Sequence, residues 1–149
     1  MTKTARQNPL LYLPLDTASA DRISIKFHAA LEVARRGSAD VATARSLAHA
    51  ALLVDLIADS ERSDISRETL DLAKAGLAEL IKKGHESDDW MFPDDLLSII
   101  TDLVNEHDRQ LRECRMSVIV AATERLERRL ARAGCMEEVL QARRSPDKS

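Results

Sequence analysis

The chain has 149 residues, 44% of them hydrophobic and 32% charged, with aromatics at 3% and four each of Gly and Pro. That balance excludes a disordered polymer and gives length for one domain around one core, and the scarcity of breakers and aromatics favours helix over sheet. Net charge is −3 but uneven: residues 1–37 carry six Lys/Arg against three Asp/Glu, residues 38–108 six against sixteen, and residues 109–149 ten against six. An acidic middle excludes a protein that coats nucleic acid over its whole surface, and leaves one basic face in the last third.

No apolar run approaches the roughly 18–20 residues that span a bilayer. The start, MTKTARQNPLLYLPLDT, is too short and Pro-interrupted in its apolar part to read as a secretory signal. Cys114 and Cys135 have neither CxxC nor metal-ligand spacing, so free thiols in a reducing cytoplasm are the expectation.

Residues 1–16 read as an N-terminal arm. Pro9 and Pro14 bracket the apolar LLYL and disfavour helix just before them. The arm is apolar enough to pack on its own domain, with a partner chain as the alternative surface. A single helical domain is expected over residues 17–144, followed by a disordered tail at 145–149.

The first helix is predicted from about Thr17 to Arg36, capped by Asp16, Thr17 or Ser19. Its stripe is Ile23, Phe27, Ala30, Leu31 and Ala34, and Gly37 stops it. The second runs from about Asp40 to Asp59, and its apolar residues lie nearly all round, which predicts a central, buried helix. The third is expected from about Ser66 to Lys83, lined by Leu70, Ala73, Leu77, Leu80 and Ile81 and ended at Gly84.

A loop, HESDDWMFPDD, follows, with Trp90 and Phe92 expected to cover the end of the core and Met91 placed to staple onto Leu96. Pro93 suits the first turn of the next helix. From Asp94 to Ala133 no Gly or Pro interrupts the chain, which predicts one helix roughly 60 Å long. On a helical wheel Leu96, Ile100, Leu103, His107, Leu111, Cys114, Val118 and Ala121 fall within about 40° of one direction, whereas Ile119, Leu126 and Leu130 lie about 90–120° further round. The stripe therefore changes face between about Cys114 and Val120. Either the helix bends there or its second half packs on something else, the arm or a second protomer. Ile119, Leu126 and Leu130 are the candidate interaction residues. A short helix is expected at about 136–143. The predicted fold class is thus all-α, a bundle of four main helices plus a short C-terminal one.

Two stretches invite a chemical reading. In NEHDRQLREC the adjacent His107 and Asp108 match the pair that ligates metal in the HD phosphohydrolases. That family also needs an upstream His, which His28, His49 or His85 can supply, and a distant downstream Asp. The one Asp after Asp108 is Asp147, in the Pro-containing tail. The wheel places His107 on the buried face and Asp108 at its rim beside Arg112, so a core histidine with a polar partner is the expectation. No HExxH, Gly-rich phosphate loop or GxSxG occurs. No enzyme activity, cofactor, metal or small-molecule substrate is expected.

The second stretch is AATERLERRLARAG, with Arg125, Arg128, Arg129 and Arg132 on one side of the helix. It reads as a coiled-coil-like helix supported by Glu124 and Arg128, or as a helix that meets DNA phosphates. RLERRLARAG resembles the last helix of the Fis family of DNA-bending regulators, with Leu126 and Leu130 at its packing positions and Arg128, Arg129 and Arg132 at positions that face DNA. Glu127 stands where that family is basic, and SVIVAAT replaces its Gly-containing turn. Over residues 22–131 the chain resembles a group of short bacterial helical proteins, some labelled Fis-family regulators, with ISIKFHAALEVARRG, VNEHDRQL and RLERRLA as the shared stretches. The expectation is a cytoplasmic, non-enzymatic protein acting by protein–protein contact, as a homo-oligomer or with a protein partner. DNA binding through the four arginines is the alternative that the resemblance implies.

Overall fold

The computed structural model describes residues 9–142, so the first half of the arm and the tail expected at 145–149 lie outside the described residues. Within them the chain is all-helical: α1 Thr17–Arg35, α2 Val41–Ala58, α3 Arg67–Ser87, α4 Asp94–Glu113, α5 Met116–Ala133 and α6 Met136–Gln141. Pro9–Tyr12 forms one turn of 3₁₀ helix ahead of them.

The fold is organised by α2. Its first turn is fixed by a capping box, in which the Asp40 carboxylate accepts from the Thr43 N–H at 3.0 Å and the Thr43 hydroxyl accepts from the Asp40 N–H at 3.3 Å. Ala44, Leu47, Ala48, Ala51, Val54 and Ile57 are all 1% exposed or less. The small alanines let neighbours approach closely, and α1, α3, α4, α5 and α6 all pack against this one helix. The all-round apolar pattern thus produces the central helix expected of it. Its 18 residues have a mean hydropathy of 1.5, which by length and composition meets the requirement for a membrane span, contrary to the sequence reading; here 67% of that segment is buried among the other helices.

Local capping sets the other helix starts. The Asp16 carboxylate accepts from the Ser19 N–H at 3.1 Å to open α1, and Ser66 accepts from the Thr69 N–H at 3.1 Å to open α3. The end of α3 departs from expectation. It continues through Gly84 to Ser87, and the left-handed residue that ends it is Asp88, at φ 59°. Gly84 serves a different purpose. A Cβ there would lie 2.4 Å from the Trp90 ring, so the missing side chain is what lets the indole lie on α3. Its Nε1 donates to Asp88 at 3.2 Å. Gly84→Ala gains about 1 kcal/mol of helix propensity but must displace the ring, and a net loss of about 1–3 kcal/mol is expected. Trp90 is the single tryptophan, so a red-shifted emission together with a lower urea midpoint reports it. Unchanged emission would show that the ring does not depend on this contact.

The largest correction concerns the long helix. Cys114 and Arg115 both adopt extended backbone (ψ 152° and 147°), which separates α4 from α5. The arm fills the break: the Met116 N–H donates to the Leu13 carbonyl at 2.8 Å, and Pro14 bridges Arg115 in antiparallel fashion. The bundle therefore has five substantial helices and a short sixth, instead of four and a fifth. After the break α5 turns its own stripe inward, and Ile119, Ala122 and Leu126 are buried on the core. In the loop before α4, Phe92, at 5% exposure, lies in the core as expected, and Met91 is 63% exposed.

A buried carboxylate ties the α2–α3 connection to α4. Glu106, 5% exposed, accepts from the Asp64 N–H at 3.1 Å and from Arg109 at 2.9 and 2.7 Å. Arg109 also donates to the Arg62 carbonyl at 3.1 Å. Burial pulls the Glu106 carboxyl up, but these hydrogen bonds and the guanidinium charge outweigh it and hold the group below the usual range.

Candidate functional site

The His107–Asp108 pair is divided between two environments. His107 is 2% exposed, with its ring edge-to-face on Phe27 at 5.1 Å between centroids. Neither ring nitrogen has a protein hydrogen-bond partner. Gln110 lies near enough to oppose the shift in basicity without reaching hydrogen-bonding geometry, and its own Oε1 is likewise unpaired while its Nε2 donates to the Val54 carbonyl at 3.4 Å. Burial pushes the imidazole down to about 4. Asp108 is half-buried, accepting from Ser24 at 2.7 Å and from Arg112 at 3.0 Å, and Arg112 in turn reaches Asp21 at 2.7 Å. The expected polar neighbour of Asp108 is present, whereas the hydrogen-bond partner expected for His107 is not. Among the described residues no three His, Cys, Asp or Glu side chains are placed to hold a metal ion.

The four arginines of α5 do not make one open face. Arg125 is half-buried and pairs at 3.5 Å with Asp59, the residue that follows α2. Arg129 is half-buried, and Arg128 and Arg132 are exposed. The exposed carboxylates of Glu124 and Glu127 lie on the same helix. The interaction residues inferred from the wheel also fall elsewhere than expected: Ile119 is 8% exposed, Leu126 is fully buried, and Leu130 packs against the core. The chain's own α2, α6 and the Pro9–Tyr12 turn of the arm all pack against α5, so the change of face needs no second protomer to explain it.

An exposed apolar surface lies instead between α3 and α4, in a groove of about 440 Å³. Leu72, Gly76 and Leu80, spaced i, i+4 and i+8, supply the α3 wall; Leu96 and Ile99 supply the α4 wall, and Met91 closes one end. Gly76 sets the depth, because a Cβ there would sit 2.7 Å from Leu96 Cδ1. Leu72 is 58% and Met91 63% exposed. Three charged groups rim the groove: Glu79, Lys83 and Asp95. Lys83 is engaged by Asp89 at 3.2 Å, whereas Glu79 and Asp95 make no ion pair among the described residues. An apolar floor with a net negative rim suits a hydrophobic segment carrying positive charge, and it lacks the convergent polar groups that hold a small substrate in one orientation.

Leu72 was not singled out from the sequence, and Met91 was read there only as a staple onto Leu96. The signal was present: Leu72 is apolar yet lies off the stripe formed by Leu70, Ala73, Leu77, Leu80 and Ile81. Comparison with known proteins gives no match to a family model, to a curated protein or to a solved structure.

Proposed function

We propose that this protein is a non-enzymatic helical module that acts by protein–protein contact, with the α3–α4 groove as its contact surface. The observation that carries this reading is the pair Leu72 and Met91, each more than half exposed at the mouth of one apolar groove. Large exposed side chains gathered at a concave apolar surface mark interaction sites, whereas scattered ones do not. The chain has such a scattered residue on the outward side of α1, Ile25, at 65% exposure.

That contrast supplies the test. A photo-crosslinking amino acid is placed at position 72 or at position 25 of the full chain in cells. Protein adducts are expected from position 72 and not from position 25. No adduct at 72, or equal labelling at both, would overturn the contact reading.

DNA binding by α5 is the weaker reading. Arg128 and Arg132 are its two exposed cations, but Glu124 and Glu127 present negative charge beside them, and Arg125 is already neutralised by Asp59.

A further inference from the structure

We infer that the occupant of the α3–α4 groove is the N-terminal arm of a second copy of this chain, residues 9–13, so that copies join head to tail. The inference rests on the contact reading above and names its partner. Leu10, Tyr12 and Leu13 are 56%, 55% and 55% exposed. Three large apolar side chains are thus more than half in water within four residues, on a segment whose backbone is nonetheless anchored through Leu13 and Pro14. Anchoring matters because a segment already ordered loses less entropy when it binds.

Charge supplies the match. Lys3 and Arg6 precede these residues in the sequence, and the first carboxylate of the chain is Asp16. The groove offers the opposite sign, since Glu79 and Asp95 remain at its rim while Lys83 is taken by Asp89. An apolar patch with cations upstream therefore meets an apolar floor with free carboxylates.

Geometry keeps the two surfaces apart within one copy. The arm docks at Met116, just past the C-terminal end of α4, and the groove is built on Leu96 and Ile99 in its first two turns. A helix of this length separates them by about 30 Å. The contact uses different patches on the two copies, so it is heterologous, and it extends into rings or open chains instead of stopping at a two-fold dimer.

The test uses two full-length variants. Leu72→Asp with Met91→Asp disables the groove and leaves the arm intact. Leu10→Asp with Leu13→Asp disables the arm and leaves the groove intact. All four positions are exposed, and unchanged circular dichroism confirms that each variant folds. In sedimentation velocity at tens of micromolar, the wild type is expected to grow beyond a dimer with concentration, and each variant alone to run as a monomer. The mixture of the two is expected to form a one-to-one dimer, because one arm and one groove remain. A wild type that stays monomeric, a variant that still assembles, or two monomeric variants that fail to pair would each overturn the inference. A wild-type monomer whose position 72 still crosslinks to a different protein overturns this pairing and leaves the contact reading standing. Loss of both signals removes both.

Discussion

Replacing Asp55 by leucine is expected to destabilise the protein by about 3–5 kcal/mol, the cost of leaving a buried charge without its partner. Asp55 interrupts the most apolar helix of the chain and is 6% exposed. It accepts from Lys74 of α3 at 2.7 Å and pairs with Arg67 at the start of α3. Burial pulls its carboxyl up, but the hydrogen bonds from Lys74 and Arg67 outweigh that and hold it below the usual range. The two cations would fare differently without it. Arg67 is partly exposed and already lies 4.0 Å from both Asp59 and Asp71, so it has other acceptors. Lys74 is 7% exposed, and among the described residues Asp55 is its one ion-pair partner. The orphan is therefore Lys74.

Three variants separate pairing from packing. Lys74→Met should cost less than Asp55→Leu, since Asp55 keeps Arg67. Asp55→Leu with Lys74→Met should return to within about 1 kcal/mol of the wild type, because a well-packed apolar pair often equals a buried ion pair. Urea unfolding of the four proteins closes the cycle. If the double variant is as unstable as Asp55→Leu, the loss lies in packing against α3 and not in the stranded ammonium. Either result bears on the groove, because Lys74 and the groove residue Leu72 stand on the same α3, two positions apart.

Much of this architecture was legible in the sequence, because most of it follows from local chemistry. Asp16, Asp40 and Ser66 cap helices where a short acceptor side chain precedes an apolar-periodic run. Gly37 and Gly134 stop α1 and α5 in left-handed backbone, where any Cβ is strained. The features that were missed are set by tertiary contacts. No Gly or Pro marks the break at Cys114–Arg115; what holds it open is the Leu13 carbonyl on the Met116 N–H, from a segment about a hundred residues away. The wheel registered the shift in stripe but could not separate a bend from a partner. Gly84 looked like a stop signal and is a seat for Trp90. The groove was invisible for a related reason. Its floor is assembled from two helices, and the side-chain period of one says nothing about which turn of the other will face it. The fully buried Leu126 makes the same point in reverse: a residue that looks available on an isolated helix is core once α2 lies beside it.

The second large effect is expected with pH, from His107. Its imidazole titrates near 6.5 in the unfolded chain and at about 4 in the fold, because burial disfavours the cation. The sign follows directly. Between these values the unfolded chain binds a proton that the folded chain refuses, so stability falls as pH drops through this window. The loss is absent above about pH 6.5, complete below about pH 4, and on the order of 3 kcal/mol. The groups around the ring do not reverse it. His49 of α2 and His28 of α1 repel a second positive charge, and the opposing attraction of Asp108 is shared with Ser24 and Arg112. His49 is itself depressed, by burial and by Lys26, and adds a slope of the same sign. The carboxylates do not confuse the reading: the buried Asp55 and Glu106 and the half-buried Asp108 all have lowered values, so their stabilisation is present above pH 4.5 and is lost only at lower pH. His107→Leu should therefore flatten the stability profile between pH 7 and 5, leaving the smaller His49 slope. At pH 7 it should also hold its stability or gain, because it removes two unpaired buried nitrogens at the expense of one edge contact to Phe27, itself about 0.5–1.5 kcal/mol. Urea titrations of both proteins at pH 7, 6 and 5 measure this. An undiminished acid slope in the variant would place the titration elsewhere. A large loss at pH 7 would mean that the imidazole holds the seam between α1 and α4 through a hydrogen bond, and not as a neutral ring packed on Phe27.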